Sequence, residues 1–296
     1  MKTLLRPLHV GLWIALCTWL SVACDAPSTT APRVARRGVL LEELTWVEAE
    51  RVLTPEAVVV IPLGAAAKEH GPHLTLKNDL LLADYFRDRV LEKAEVVMAP
   101  VVAYHHYPAF AEYPGSTSLR LETARDVIVD ICRSLARFGP RRFYVLNTGV
   151  STVKALMPAA ALLAADGILL RYTVLKEALG PVEKEVAQQA GGSHADEIET
   201  SMMLVIAPDT VDMSKAMKDY DAVGQGPLSR TRSAGTTYSP TGTWGDATLA
   251  TRAKGARVVT ALTAALLTDI ERVRGEPLPV VAPVPAPLPA PLPAPQ

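Results

Sequence analysis

The sequence predicts an α/β protein with a mostly parallel sheet and helices on both faces. Two observations carry this expectation. Short β-rich apolar runs alternate with longer segments of helical periodicity, the pattern of strand–helix–strand units. The chain has 296 residues, 49 % of them hydrophobic, enough for one large domain with a sizeable core. No second domain is expected.

The elements follow in order. Residues 57–61 form an apolar run that reads as a buried strand. Residues 80–91 read as a helix opened by Asn78 or Asp79. Residues 96–102 are apolar and β-rich. Residues 122–138 form an amphipathic helix stopped by Gly139-Pro140. Residues 143–146 predict a short buried strand, 153–165 a helix and 168–175 a strand. Residues 196–206 and 250–273 read as helices.

The ends differ from this body. Lys2 and Arg6 precede residues 10–23, apolar except for Gly11, Thr18 and Ser21 and too short to span a bilayer comfortably. Leu20-Ser-Val-Ala-Cys24 then resembles a bacterial lipoprotein signal, with Ser21 where a leucine is usual. The expectation is a signal peptide over 1–23, lipid on Cys24, and a protein anchored in the cell envelope, facing the periplasm or exterior. An ordinary secretory signal or a single membrane anchor is the alternative. Residues 24–38 read as a tether, 39–275 as the domain, and 276–296 as a Pro-rich disordered or polyproline II tail. Once Cys17 leaves with the signal and Cys24 carries lipid, Cys132 is alone in the body. It falls on a helical apolar stripe and reads as a buried packing residue. The formal net charge of −1 gives no electrostatic case for nucleic acid.

The chemistry concentrates in the loop after residues 57–61. Glu69, His70, His73 and Asp79 gather there around a Gly71-Pro72 turn. Carboxylates and imidazoles together suit a borderline divalent metal. The C-terminal end of a strand is also where open α/β sheets place their sites.

This loop resembles that of the creatininase (creatinine amidohydrolase) family, roughly Pro-x-Gly-Ser-x-Glu-Gln-His-Gly-Pro-His-Leu-Pro-Leu-x-x-Asp. Pro62, Gly64, His70, Gly71, Pro72, His73, Leu74, Leu76 and Asp79 match it, with one extra residue between Gly64 and His70. Tyr113-Pro-Gly-Ser-Thr-Ser-Leu119, His194-Ala-Asp-Glu-Ile-Glu-Thr-Ser-Met-Met-Leu204 and Gly242-Thr-Trp-Gly-Asp246 continue the resemblance in order. It implies a three-layer α/β/α fold with a mostly parallel sheet, and a homo-oligomer by analogy. It also implies two divalent metals bridged by the equivalent of Asp79, with His70 serving one of them.

Three positions depart from the family pattern. Lys68 stands at the place of the loop glutamate, followed by Glu69 where glutamine is usual. Gly149 and Ser151 stand where a later histidine and glutamate ligate. The expectation is at most one ion, zinc or manganese, held by Glu69, His70 and Asp79, with His194 or Glu199 added. Lys68 would occupy the place of the missing metal, neutralise Asp79 and face the substrate.

His194 and Glu199 are the catalytic candidates. Glu199 shares its segment with Thr200, Ser201 and two methionines, so its carboxylate needs a metal, Lys68 or His194 as partner, unless it is solvated. Asp196 and Glu197 read as first-turn carboxylates that suit the helix dipole. His106 and Glu112 are candidate pocket residues, and Trp244 walls the pocket, stacks a planar substrate or only anchors its own loop. The function expected is metal-dependent hydrolysis of a non-peptide or cyclic C–N amide bond in a small molecule. The alternative is a lipoprotein without catalysis that binds a small amide or guanidine-like ligand.

Overall fold

The computed structural model describes residues 36–220, 223–224 and 226–281. The signal segment, the lipidation site at Cys24, most of the tether, and the tail from residue 282 lie outside the described residues. Among the described residues no helix is long and apolar enough to cross a membrane.

Five strands form the main sheet: β1 (Val39–Leu40), β2 (Val58–Leu63), β3 (Val97–Met98), β4 (Arg142–Asn147) and β5 (Leu169–Tyr172). Their order is β1-β3-β2-β4-β5, and every pairing is parallel. β2 and β4 pair along their whole length, from Val58 opposite Arg142 to Leu63 opposite Asn147. Their C-terminal ends therefore lie side by side.

Successive side chains of β2 point to opposite faces, and each face has its own core. Val58 and Val60 pack with Phe86, Met203 and Leu266. Val59, Ile61 and Leu63 pack with Ile128, Cys132 and Leu156. The first face is covered by α2 (Asn78–Lys93), α5 (Leu175–Val186), α6 (Glu197–Ile206) and α7 (Arg252–Gly275). The second is covered by α3 (Leu121–Ala136) and α4 (Val153–Ala165), with α1 (Trp46–Val52) at its edge. This is the three-layer α/β/α arrangement expected. Two small ladders, β6 (Lys218–Asp219) with β9 (Gly245–Asp246) and β7 (Leu228–Ser229) with β8 (Thr237–Tyr238), organise the segment before α7. Cys132 is buried in the second core, which pushes its thiol pKa up and keeps it inert.

Three expectations need correction. The β-rich stretch 96–102 is a strand only at Val97–Met98, because Pro100 lacks the donor a ladder requires. Val102 still makes an isolated bridge to Leu63. The strand expected over 168–175 ends at Tyr172, and Leu175 opens α5, whose pattern is masked by Gly180 and Pro181. α1 was not expected; it starts at a capping box in which Thr45 and Glu48 satisfy each other's backbone N–H.

Candidate metal centre

Loops leaving β2 and β4 and the loop entering α6 meet at the C-terminal edge of the sheet. Gly64 ends β2 against the first turn of α2, where a Cβ would lie 2.2 Å from the Asp79 carbonyl oxygen. Only glycine allows that approach. The Thr148 hydroxyl, just past β4, donates to the Leu63 carbonyl at 2.9 Å and the Asp79 carbonyl at 3.2 Å. These contacts fix Asp79 over the ends of both central strands.

Around Asp79 the side chains are buried and paired. Lys68 Nζ lies 2.7 Å from its Oδ2, and His70 Nε2 lies 2.7 Å from its Oδ1. His70 Nδ1 donates to the Lys68 carbonyl at 2.8 Å, since a carbonyl can only accept. On the far side, His194 Nε2 donates to the Glu69 carbonyl at 2.9 Å and to Glu69 Oε2 at 3.1 Å. The Glu69 carboxylate also accepts from the Gly71 amide.

Glu199 sits between the two histidines. Its Oε1 is 3.5 Å from His70 Nε2, and its Oε2 is 3.7 Å from His194 Nδ1. Asn78 Nδ2 donates to Oε1 at 2.9 Å and the Ala195 amide to Oε2 at 2.7 Å. Ala195 is held at φ 47, the sole non-glycine residue with positive φ among the described residues. That strained turn aims its amide at Glu199.

Charge and burial set the ionisation. Burial alone would raise the Asp79 pKa, but Lys68 and His70 hold it well below the usual carboxylate range. Burial also opposes ionisation of Glu69, yet His194 and the Gly71 amide keep its pKa below the ordinary value. Burial would lower the His194 pKa, and Glu69 and Glu199 together raise it instead. His73 pairs through Nε2 with the Thr200 hydroxyl at 2.8 Å, and burial lowers its pKa. It is a structural residue set apart from the cluster.

A cavity of about 1130 Å³ opens onto this cluster. Lys68, His194, Glu199 and Trp244 line it. Phe110 joins them, 4.7 Å from Lys68 Nζ and 4.3 Å, centroid to centroid, from His194. Trp244 is among the residues that line the cavity, its ring lies 4.9 Å from that of Tyr220, and its backbone pairs with His194.

Several expected residues lie elsewhere. His106 turns its Nδ1 to the Leu119 carbonyl at 3.0 Å and is not among the residues that line the cavity. Glu112 is taken up by the Ser229 hydroxyl and the Arg230 amide. Glu197 lies in the first turn of α6, as expected, and is fully buried there; it accepts from Gln188 N, Gln189 N and Lys254 Nζ. Asp196 is the N-cap of α6, as its place in the sequence suggests. Asn78, Tyr107 and Phe110 belong to the site but were not singled out. Asn78 looked only like a helix opener.

The family model described as creatinine amidohydrolase matches residues 42–270. The chain belongs to the creatininase family. A creatinine amidohydrolase from Pseudomonas putida is 28 % identical over 200 residues, covering 61 % of this chain and 76 % of that protein. A mycofactocin precursor peptide peptidase from Mycolicibacterium smegmatis is 31 % identical over 208 residues, covering 68 % and 79 %. A solved structure described as creatininase Mn superposes with a TM-score of 0.68 at 25 % identity, covering 81 % of this chain and all of that one. A Zn-Zn type creatininase gives 0.67 at 25 % identity, covering 81 % and 99 %.

Against that family pattern, the donor set here is different. Gly149 uses its N–H and carbonyl on Asn147, and Ser151 donates to the His106 carbonyl. Neither supplies a ligand. Lys68 brings a cation to Asp79 where the resemblance implies a metal. Of Glu69, His70 and Asp79, only His70 joins the group whose donor atoms converge. That group is His70, His194 and Glu199, with donor atoms within 4.8 Å of one another. Glu69 is turned to His194 and Gly71, while Asp79 is held by Lys68 and His70.

The group fits one ion. Each histidine spends one N–H on a backbone carbonyl, which turns His194 Nδ1 to Glu199 and leaves His70 Nε2 on Asp79 Oδ1 at 2.7 Å with Glu199 3.5 Å away. Metal-ligating histidines are held in this way by outer hydrogen bonds. Donors of a tetrahedral zinc site at about 2.0–2.1 Å from the metal stand roughly 3.3 Å apart. The two histidine–carboxylate separations, 3.5 Å to Oε1 and 3.7 Å to Oε2, are close to that and long for hydrogen bonds, while the set with one donor atom per residue lies within 4.8 Å.

Proposed function

We propose that this creatininase-family protein hydrolyses a non-peptide or cyclic C–N amide bond with the help of one divalent ion, zinc or manganese. The observation that supports it is the pinning of both histidines by the Lys68 and Glu69 carbonyls, with His194 Nδ1 turned to Glu199 and His70 Nε2 set between Asp79 and Glu199. His70, His194 and Glu199 would hold the ion. Bound there, it would polarise a carbonyl and make water more acidic.

The chain's own residues supply the rest. Asn78 and the Ala195 amide orient Glu199. Glu69, held ionised, accepts the His194 Nε2 hydrogen and so strengthens Nδ1 as a donor to the ion. Lys68 faces the cavity and offers an N–H to a substrate oxygen where negative charge develops. Phe110 and Tyr107 shield that ammonium from water. In this reading His194 and Glu199 act as donors to the ion rather than as free proton carriers.

The test is elemental analysis of the full protein after dialysis against zinc or manganese, followed by a product assay over a panel of linear and cyclic amides. One equivalent of metal with turnover that Glu199→Gln abolishes supports the proposal. The Lys68–Asp79 pair favours a second reading, a binding protein that keeps the pocket without catalysis. Saturable binding by metal-loaded protein with no product from any amide would establish that one instead.

We propose also that the protein is lipid-anchored through Cys24 in the cell envelope. The support is the Leu20–Cys24 box after a short apolar segment. Mass spectrometry of the native protein should find lipid on Cys24 and none in Cys24→Ser. An unmodified Cys24 would refute the anchor.

A further inference from the structure

The turn after β4 forms one wall of the cavity. Thr148, Val150, Ser151 and Lys154 line it there, and Lys68 lines it too. Printed contacts join the two parts. Thr148 Oγ1 donates to the Asp79 carbonyl at 3.2 Å, and Lys68 Nζ holds the carboxylate of the same residue. From Thr148 the chain turns into α4, and the Lys154 amide donates to the Ser151 carbonyl at 3.3 Å. Lys154 is thus an exposed residue at the start of α4, on the lining of the cavity that holds the metal cluster.

The charged residues of the lining differ in what answers them. Lys68 has Asp79. Glu199 has the two histidines, Asn78 and the Ala195 amide. Asp196 is buried and accepts from the Ile198 and Glu199 amides and from Gln189 Nε2. Lys176 and Glu183 stand two turns apart on α5 and attract each other. Lys154 has no such partner. Among the described residues its ammonium makes no hydrogen bond or ion pair. The lining contributed by residues 108–110 and 224–228 carries no charge, so an acid group in this part of the cavity finds its cation on the β4 side.

Helix stability does not account for this lysine. It is the second residue of α4, where the helix dipole favours a carboxylate, and the first turn of α4 holds no acidic residue to offset it. Residues that break a local rule of this kind concentrate at functional sites. We propose that Lys154 selects an anionic substrate: the amide cleaved carries a carboxylate or comparable acid group a few bonds from the scissile bond, and Lys154 pairs with that group. The amide then lies toward Lys68 and Glu199. This substrate class rests on the hydrolase reading above, but the selection is tested by binding alone.

The probes are matched pairs of equal shape: succinamate with succinamide, glutaramate with glutaramide, adipamate with adipamide. They are titrated calorimetrically at low ionic strength into the metal-free full-length protein, so that neither turnover nor a carboxylate on the ion contributes. At least one anion should bind about two- to fivefold more tightly than its neutral partner, the size of an exposed ion pair. Salt at about 0.5 M should erase that preference. Lys154→Met should abolish it and Lys154→Glu should reverse it. Lys154→Glu is expected to fold, because a carboxylate suits the start of α4. Equal affinity within every pair would overturn the proposal. So would a preference that Lys154→Glu leaves intact, or one that Lys176→Met removes while Lys154→Met does not. A preference that depends on Lys154, in a protein that cleaves none of these amides when metal-loaded, would support the selection and refute the hydrolase reading. Cleavage of the neutral amides ahead of the anions would refute the selection and leave the hydrolase reading standing.

Discussion

Lys68 Nζ and Asp79 Oδ2 stand 2.7 Å apart, and both side chains are almost fully buried. The ammonium is further enclosed by the rings of Phe110 and Tyr107. A buried carboxylate without a cation would be costly, and this one has Lys68 where the family pattern implies a metal ligand. The pair neutralises Asp79 without a second ion.

Lys68→Met should therefore destabilise the metal-free protein by about 3–5 kcal/mol near neutral pH, because one charge is left buried alone. The pH dependence follows from Asp79. Its pKa in the folded protein is lowered, so its contribution is present above the unfolded value of about 4 and is lost as pH falls through the folded one. Losing Lys68 raises the folded pKa. The difference between the two proteins is then largest above about pH 4 and shrinks in acid. Urea denaturation at a series of pH values measures it. A difference independent of pH would mean that Lys68 acts by packing alone.

The donor geometry predicts one tight metal site per chain. Glu69→Gln keeps the shape but removes the charge that His194 faces. Outer partners of this kind are worth about 10- to 100-fold in metal affinity. Competition with a chelator should show that loss, and Glu199→Gln should lose more. Two equivalents retained by the unaltered protein would show that Asp79 and Lys68 separate to admit a second ion.

Much of this arrangement was readable in advance, for identifiable reasons. β2 follows from an apolar run and α4 from an apolar pattern that persists through Pro158, and His70, Asp79, His194 and Glu199 fall in motifs whose order along the chain is kept. Glu69 was misplaced because its direction depends on two glycines, one beside it in the loop and one distant in sequence. Gly71 takes φ 68 and turns the loop. At Gly242, a Cβ would lie 2.0 Å from Glu69 Oε1, so only a bare backbone leaves room for the carboxylate beside His194. Local spacing carries no trace of that contact. The burial of Glu197 was hidden for the same reason, since its partner Lys254 is 57 residues away.

Glu197 and Lys254 supply a second test of buried charge, outside the metal cluster. Glu197 is fully buried and tied to two backbone amides, and Lys254 is its cation. Lys254→Met should cost about 3–5 kcal/mol. It should also loosen the loop between α5 and α6, which hydrogen exchange at Gln188 and Gln189 would report. Unchanged exchange there would mean that the amides alone hold Glu197.

Rebuilding a two-metal site gives the most demanding prediction. Lys68→Glu, Gly149→His and Ser151→Glu restore the ligand types that the family pattern implies. The structure shows why these three changes alone should fail. A Cβ at Gly149 would lie 2.9 Å from Thr152 Cγ2, in a turn where the Thr152 hydroxyl donates to Asn147 Oδ1 at 2.7 Å. The histidine would push Thr152 aside and break that bond. Adding Thr152→Ser removes the obstructing methyl group and keeps the hydroxyl. The fourfold variant should therefore take up two equivalents of zinc by elemental analysis, and the threefold variant no more than one. Equal uptake by both would show that the turn after β4 adapts, and that Lys68 alone had excluded the second ion.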